Sequence, residues 1–191
     1  GLNGYLVDTP GRTHNFGGTH TWSLNSTTVN EARFSWQKNG FFFEGGPSFP
    51  FAEIGKNIAN FTFLNGNLGF GLATNLPQFR EVKRWQIQDN FSKQIGRHFL
   101  KTGFQLSRDN IFLGFLPQVN GAYFFDNLQT FAENRPTSFN GAAGDPLQNP
   151  KQVDQYYYFQ DDWKIRRNLT LNLGIRYEYS GQPLNILNDL T

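Results

Sequence analysis

The chain has 191 residues, of which 17% are aromatic and 17% are charged. Its mean hydropathy is −0.53, and no apolar run approaches the roughly 20 residues that a membrane-spanning helix needs, so a helical membrane protein is excluded. A membrane β-barrel is not excluded, because barrel strands alternate apolar and polar residues and their average hydropathy resembles that of a soluble protein.

The Cys content and the net charge exclude further kinds of site and give no indication of one kind of partner. The absence of Cys excludes disulfide frameworks, thiolate zinc sites and thiol nucleophiles. The formal net charge of +2 comes from bases spread along the chain, which gives no indication of a nucleic-acid partner. Since the chain also has no Met, we expect it to be an internal piece or a processed form of a longer protein.

The first predicted element is a β-hairpin near the amino terminus. Two short alternating stretches flank a turn at 25–28, and their apolar positions are His20, Trp22 and Leu24 and then Ala32, Phe34 and Trp36. Alternation with a period of two places one set of side chains on one face of a strand and the other set on the opposite face. These stretches therefore predict a pair of strands.

A long connection follows from Asn39 to Arg80. It is rich in Gly, Asn, Pro and Phe, and it contains the aromatic residues Phe41, Phe42, Phe43, Phe49 and Phe51. We expect a short strand near residues 60–64 within it. The five aromatic residues are candidates for contacting an aromatic or sugar ligand, and the alternative is that they pack the loop itself.

The second hairpin repeats the first pattern. Its first strand has three apolar residues on one face, which are Trp85, Ile87 and Phe91. A turn follows at 95–97, and the next strand alternates through Leu100, Thr102, Phe104 and Leu106. A second long connection then runs from Asp109 to Lys151, with a short strand expected near 122–126. Soluble domains rarely contain loops of about forty residues.

The third hairpin has the clearest pattern. Residues 155–165 lead to a turn at 166–168, and Leu169 to Tyr179 then alternates apolar and polar residues over the whole stretch. Six long strands are therefore predicted, with tight turns at one end and long loops at the other. That asymmetry is typical of outer-membrane barrels, so the predicted fold is an all-β, antiparallel, up-and-down transmembrane β-barrel portion.

The two faces of these strands have different predicted environments. Lipid excludes charge, so the apolar face is expected to contact lipid and the polar face the lumen. The predicted lumen-facing residues are Glu31, Arg33, Gln86, Gln88, Lys101, Arg176 and Glu178. The aromatic residues predicted at the membrane interface are Trp36, Trp85, Trp163, Tyr157, Tyr177 and Tyr179.

Two acidic residues do not fit this arrangement. Asp89 lies two residues before Phe91, and Asp161 lies two residues before Trp163. A regular strand therefore directs both carboxylates to the apolar face. Either a β-bulge inverts the local parity, or both side chains lie in the membrane interface. Parity alone leaves the two alternatives open.

No catalytic, cofactor or metal site is predicted. His14 and His20 are six residues apart on one strand, roughly 20 Å, which is too far for both to bind one ion. The adjacent Asp161 and Asp162 point to opposite faces and cannot act on one bond. An outer-membrane lipase would need a Ser, a His and an acid brought together, and strand parity produces no such trio, so we expect a protein that is not an enzyme.

Several of these segments resemble a known family. Gln160-Asp161-Asp162-Trp163-Lys164, followed by the strand 169–179, resembles the barrel hairpin of TonB-dependent outer-membrane receptors. Residues 29–34, 89–91 and 96–103 are similar to the Oar-like group of these receptors, which has an N-terminal domain like the regulatory domain of carboxypeptidases. The resemblance covers nearly the whole chain.

The resemblance implies a 22-stranded barrel around a plug domain, located in the bacterial outer membrane. Such a receptor imports a scarce small molecule, glycan or peptide with energy relayed by TonB through the plug. Residues 1–191 would then be one incomplete barrel domain, whose partners are outer-membrane lipid, the rest of the barrel, the plug and TonB. Two alternatives are a passive porin and a soluble, aromatic-rich β-sandwich that binds carbohydrate.

Overall fold

The computed structural model describes residues 7–45, 58–66 and 68–182. Almost all of the regular structure in these ranges is β-strand. The expected six long strands are confirmed, and they are β2 (Gly11–Asn25), β3 (Thr28–Gly45), β6 (Gln78–Ile95), β7 (His98–Phe115), β11 (Lys151–Arg166) and β12 (Leu169–Ser180).

The remaining elements of the described residues are short. The strands are β1 (Val7–Asp8), β4 (Asn60–Phe63), β5 (Leu68–Phe70), β8 (Ala122–Phe125), β9 (Ser138–Asn140) and β10 (Leu147–Gln148), and the helix is α1 (Leu128–Ala132). Helix α1 begins at Asn127, whose side chain accepts hydrogen bonds from the backbone N–H groups of Gln129 and Thr130. No helix in the described ranges is long and apolar enough to cross a membrane.

The long strands form one sheet in which each strand lies beside its neighbour in the sequence. The order is β2-β3-β6-β7-β11-β12, and the short strands β1 and β10 pair with β3 and β7. The register of β11 is continuous from Lys151 to Trp163 against β7, and a single register shift, between Lys164 and Arg166, interrupts its pairing with β12. Within the described residues, β2 and β12 do not pair with each other, so the sheet is not closed.

Three of the connections are two-residue turns, as the sequence predicts. They join β2 to β3 at 26–27, β6 to β7 at 96–97 and β11 to β12 at 167–168. Gly96 has a φ of 57°, a left-handed conformation that favours Gly in such a turn. In the first turn, the Asn25 side chain accepts a hydrogen bond of 2.9 Å from the Thr27 N–H.

Contacts divide the chain into two compact units. We call one the sheet unit, which contains residues 13–39, 82–111 and 149–182, and the other the loop unit, which contains residues 7–12, 40–45, 58–66, 68–81 and 112–148 among those described. The long strands β2, β3, β6 and β7 contribute residues to both units.

The sheet unit exposes its apolar face. Leu171, Leu173 and Ile175 on β12 retain 40%, 51% and 72% of their accessible surface. The soluble β-sandwich alternative required this face to be packed against another part of the chain, so that alternative is wrong. Full burial of such a side chain stabilises a protein by about 1.5–3 kcal/mol, which this sheet can obtain only from an apolar environment outside the chain.

Four polar residues of the sheet unit are buried. Thr28, Ser107, Asp109 and Asp154 are each at most 7% exposed. The five buried hydrophobic residues of the described chain all belong to the loop unit, and they are Phe63, Leu72, Leu76, Ala122 and Phe125. The sheet unit therefore has the inverse of the usual globular arrangement, with polar side chains shielded and apolar ones exposed.

The loop unit has an aromatic core. Strands β5, β4, β8 and β9 form a second sheet in that order, and β4 pairs with β8 in parallel. On one face the ring of Phe61 stacks at 4.8 Å on Phe70 and at 5.6 Å on Tyr123. Phe131 of α1 meets Phe63 and Phe125 edge to face, at 5.6 and 5.1 Å.

The strands and loops differ from the expectation in two ways. β3 continues to Gly45, β6 begins at Gln78 and β7 continues to Phe115, so strand structure enters the stretches 39–80 and 109–151 that were predicted as loops. The alternation is hidden there because aromatic residues occupy both faces. The expected short strands near 60–64 and 122–126 are present as β4 and β8, but they pair with each other across two different loops.

Gly103 is required by a close approach of neighbouring strands. A Cβ at this position would lie 2.5 Å from the Asp89 carbonyl oxygen and 2.7 Å from Cε1 of Tyr158. We expect Gly103→Ala to destabilise the complete barrel by about 1–3 kcal/mol through overpacking. The measurement is the temperature at which the folded, fast-migrating band is lost in gel electrophoresis.

Gly18→Ala is the matched control, because a Cβ there would meet no atom within 4 Å. Gly18→Ala should leave unchanged the midpoint temperature at which the folded band is lost. Equal midpoints for the two variants would show that β6, β7 and β11 do not approach as closely as described.

Phe63 tests the core of the loop unit. It is 2% exposed, and Phe63→Ala removes ring contacts with Phe70, Phe125 and Phe131. Replacing a buried Phe by Ala costs about 3–5 kcal/mol, so proteolytic cleavage within 58–81 and 112–148 should become much faster. Leu64→Ala, at a 52% exposed neighbour, should leave the cleavage rate unchanged, and equal rates in the two variants would contradict the assignment of this core.

Candidate functional site

The candidate ligand site is a hollow of about 660 Å³ in the loop unit. Its described lining comes from the ends of the long strands and from β10, and consists of Phe41, Phe43, Gln78, Phe79, Arg80, Leu113, Phe115 and Gln148. The volume is within the range of small-molecule sites, and the mixture of aromatic rings with a few polar groups is typical of them. We call this feature the aromatic hollow.

Strand geometry determines which of the predicted loop aromatic residues reach the hollow. Phe41 and Phe43 line it, and Phe42 between them does not, because successive residues of β3 point to opposite sides. The ring of Phe42 instead stacks on Phe79 at 5.7 Å. Phe49 and Phe51, which were predicted with them, lie outside the described residues.

The hollow also contains residues that sequence reasoning missed. Leu113 and Phe115 lie at the end of β7, within the stretch that was predicted as a loop. Gln148 is brought opposite Leu113 by the pairing of β10 with β7. Consecutive apolar residues at 111–113 hide the alternation of β7 at this point, and the pairing of a two-residue strand leaves no sequence signal.

Arg80 provides the charge in the hollow. Arg80 is exposed, and within the described part of the chain its guanidinium has no ion pair or hydrogen bond. Arg84, four residues later on β6, differs in this respect. It forms two hydrogen bonds with Asp109, of 2.7 and 2.5 Å, so its charge is balanced.

The predicted lumen-facing residues lie on the polar face of the sheet unit and form hydrogen bonds with one another. Arg33 forms an ion pair of 2.8 Å with Glu31, and the side-chain amide of Asn90 donates to Glu31 at 3.3 Å. Asn90 also accepts hydrogen bonds from Gln88 and from the hydroxyl of Tyr158. A second hollow on this face brings Arg33 and Gln88 together with Gln86.

The remaining predicted lumen residues form local pairs. Lys101 contacts Asp162 at 3.0 Å, and Gln160 donates a 2.7 Å hydrogen bond to the same carboxylate. Arg176 pairs with Glu178. The polar face therefore presents paired charges along its strands, an arrangement that suits contact with water or with a polar domain.

The predicted interface aromatic residues lie on the apolar face. The rings of Trp36 and Trp85 approach to 5.9 Å and those of Tyr157 and Tyr177 to 6.4 Å, and Tyr179 is 48% exposed. Trp163 stacks on His98, with ring centroids 5.3 Å apart. Their membrane depth stays a prediction, since an amphipathic ring is stable at either headgroup region.

Both acidic residues on the apolar face have hydrogen-bond partners. Asp161 lies opposite Leu100 and Leu173 in a register without a bulge, so the proposed inversion of parity is absent there. Its Oδ2 is 2.7 Å from Nδ1 of His98. The side chain of Asn30 donates to Oδ1 of Asp89 at 2.8 Å. One oxygen of each carboxylate therefore has a partner, which reduces the cost of placing it on this face, whereas Oδ1 of Asp161 is buried without one.

The described residues contain no cluster of three or more His, Cys, Asp or Glu side chains that could hold a metal ion.

Comparison with known families agrees with this architecture. The family model described as an outer membrane β-barrel domain matches residues 1–191. No curated protein and no solved structure matches the chain. Because the family model covers the whole sequence, and because the sheet has one exposed apolar and one polar face, this chain belongs to the outer membrane β-barrel domain family and is located in the bacterial outer membrane.

Proposed function

We propose that the chain is part of the barrel of a TonB-dependent receptor, which binds a scarce substrate outside the cell and imports it with energy relayed by TonB. The observation that carries this proposal is the loop unit, which has its own aromatic core and contains a ligand-sized hollow. A receptor must hold its substrate before transport, and a preformed site on ordered loops meets that requirement.

The sequence of the third hairpin supports the same function. Residues 160–164 and the strand 169–179 resemble the barrel hairpin of these receptors, and they form β11 and β12 with a two-residue turn. Short turns lie on the periplasmic side of outer-membrane barrels and long connections on the outer side. The aromatic hollow would then be open to the exterior, where substrate arrives.

The partners of the receptor follow from the two faces of the sheet. The apolar face would contact outer-membrane lipid, and the edges at β2 and β12 would pair with the rest of the barrel. The polar face would line the lumen and contact the plug domain, through which TonB acts. No covalent step is part of this function, so we propose a transporter and not an enzyme.

A passive porin is the second candidate. Its specific support is the polar face, where paired charges such as Lys101 with Asp162 would equally suit a permanently open water-filled channel. The two candidates differ in whether a plug closes the barrel and in whether transport needs energy.

Planar-bilayer recordings of the complete protein separate the two candidates. A plugged receptor should show no steady conductance in KCl solution, because the plug blocks the lumen. The same preparation should retain the purified periplasmic domain of TonB on beads. As a control, a known open porin recorded under the same conditions must give stepwise conductance.

Stepwise conductance from the complete protein, together with no retention of TonB, would contradict the receptor and establish the porin.

A further inference from the structure

We propose that the aromatic hollow binds a molecule that has an aromatic or apolar ring system and a negatively charged group, with Arg80 contacting the charge. This inference rests on the proposed function, since it identifies the substrate class of the receptor. It concerns the hollow bounded by Phe41, Phe43, Phe115 and Arg80.

Three aromatic rings in the hollow lack the ring contacts that most other aromatic residues of the loop unit have. Phe41, Phe43 and Phe115 are 49%, 38% and 40% exposed, and among the described residues none of them stacks on another ring. Phe42, in contrast, stacks on Phe79. The core of the loop unit is formed by other residues, so these three rings are not needed for its packing.

Exposed rings around a concave surface favour an apolar ligand. Each ring would release water on contact with a ligand, and the burial of its apolar surface would favour binding. Rings can also stack on a flat ring system in the ligand, which adds to the burial term. The ligand is therefore expected to present a ring or a similarly flat apolar group.

The charge of Arg80 requires a complementary group on the ligand. The guanidinium offers five N–H donors arranged to match a carboxylate, sulfonate or phosphate, and it has no acid partner within the described residues. The amides of Gln78 and Gln148 line the same hollow and form no side-chain hydrogen bond within those residues. They can supply further hydrogen bonds to the polar end of the ligand.

A neutral sugar is the principal alternative, because sugars also stack on aromatic rings. A neutral sugar would use the rings and the amides and would leave Arg80 unpaired. The dependence of binding on a negative charge therefore decides between the two ligand classes.

The test is equilibrium dialysis of the complete receptor in lipid nanodiscs, with empty nanodiscs as the blank. The probes are dansyl-phenylalanine, which has a carboxylate, and its amide, which has the same rings and no charge. We expect the carboxylate to bind about tenfold more tightly than the amide, as a charge-assisted hydrogen bond would produce.

Variants assign this preference to particular residues. Arg80→Gln should weaken carboxylate binding at least about fivefold and abolish the preference over the amide, and Arg80→Lys should retain part of it. Arg12→Gln is the matched control, since Arg12 also belongs to the loop unit, has no ion pair among the described residues and does not line the hollow. It should bind as the unchanged protein does.

A second pair of variants tests the rings. Phe43→Ala should weaken the binding of both probes. Phe139→Ala, at an exposed ring of the loop unit that neither lines the hollow nor stacks on a lining residue, should leave both unchanged. Retention of the fast-migrating folded band is checked for every variant, so that loss of folding is not taken for loss of binding.

Equal affinity for the two probes, no binding of either, or an unchanged preference in Arg80→Gln would overturn the inference. Failure of the receptor function is a separate result, because dialysis measures binding without TonB. Open-channel conductance would reject the receptor while leaving a charge-dependent site in place.

Discussion

The structure depends on one constraint, which is that an apolar face of the sheet must be covered by hydrocarbon. In the sheet unit, large apolar side chains such as Leu173 and Ile175 are exposed, and the polar side chains of Thr28, Ser107, Asp109 and Asp154 are buried. A soluble protein could not remain dispersed with that distribution, because each exposed large apolar residue forgoes about 1.5–3 kcal/mol of burial. In a bilayer the same distribution is stabilising, which agrees with the family to which the chain belongs.

Further features follow from this constraint. Because the polar face cannot use a hydrophobic core, its side chains are ordered by hydrogen bonds such as that from Tyr158 to Asn90, and Gly103 leaves room for the Tyr158 ring. The loop unit has to be stable through its own contacts, which explains why the aromatic residues gather around Phe61 and Phe131. The rings left out of that core then become available for a ligand.

Much of the sheet could be predicted from the sequence. Alternation over 169–179 determines a strand and its two faces, and the pairs Arg176 with Glu178 and Glu31 with Arg33 follow from neighbouring positions on one face. The tight turns were also predictable, since Gly96 and Asn25 suit the required conformations. Alternation with a period of two specifies which residues of one strand share a face. Features that depend on a single strand or turn could therefore be predicted.

The features that sequence reasoning missed depend on distant contacts. The parallel pairing of β4 with β8 joins segments about sixty residues apart, and nothing local specifies that partner. The ends of β3 and β7 were assigned to loops because the apolar runs at 41–43 and 111–113 fill both faces of these strands and hide the alternation. The hydrogen bond between Asp161 and His98 was also missed, because it depends on the register of β11 against β7.

The most direct test of the account is a scan of accessibility along β12. The chain has no Cys, so single Cys substitutions at 171–176 can each hold a spin label in the complete protein reconstituted in lipid. Labels at 171, 173 and 175 should be relaxed mainly by oxygen, which concentrates in the bilayer, and labels at 172, 174 and 176 mainly by a water-soluble nickel complex. A profile without this period of two, or with the two sets exchanged, would contradict the assignment of the apolar face to lipid.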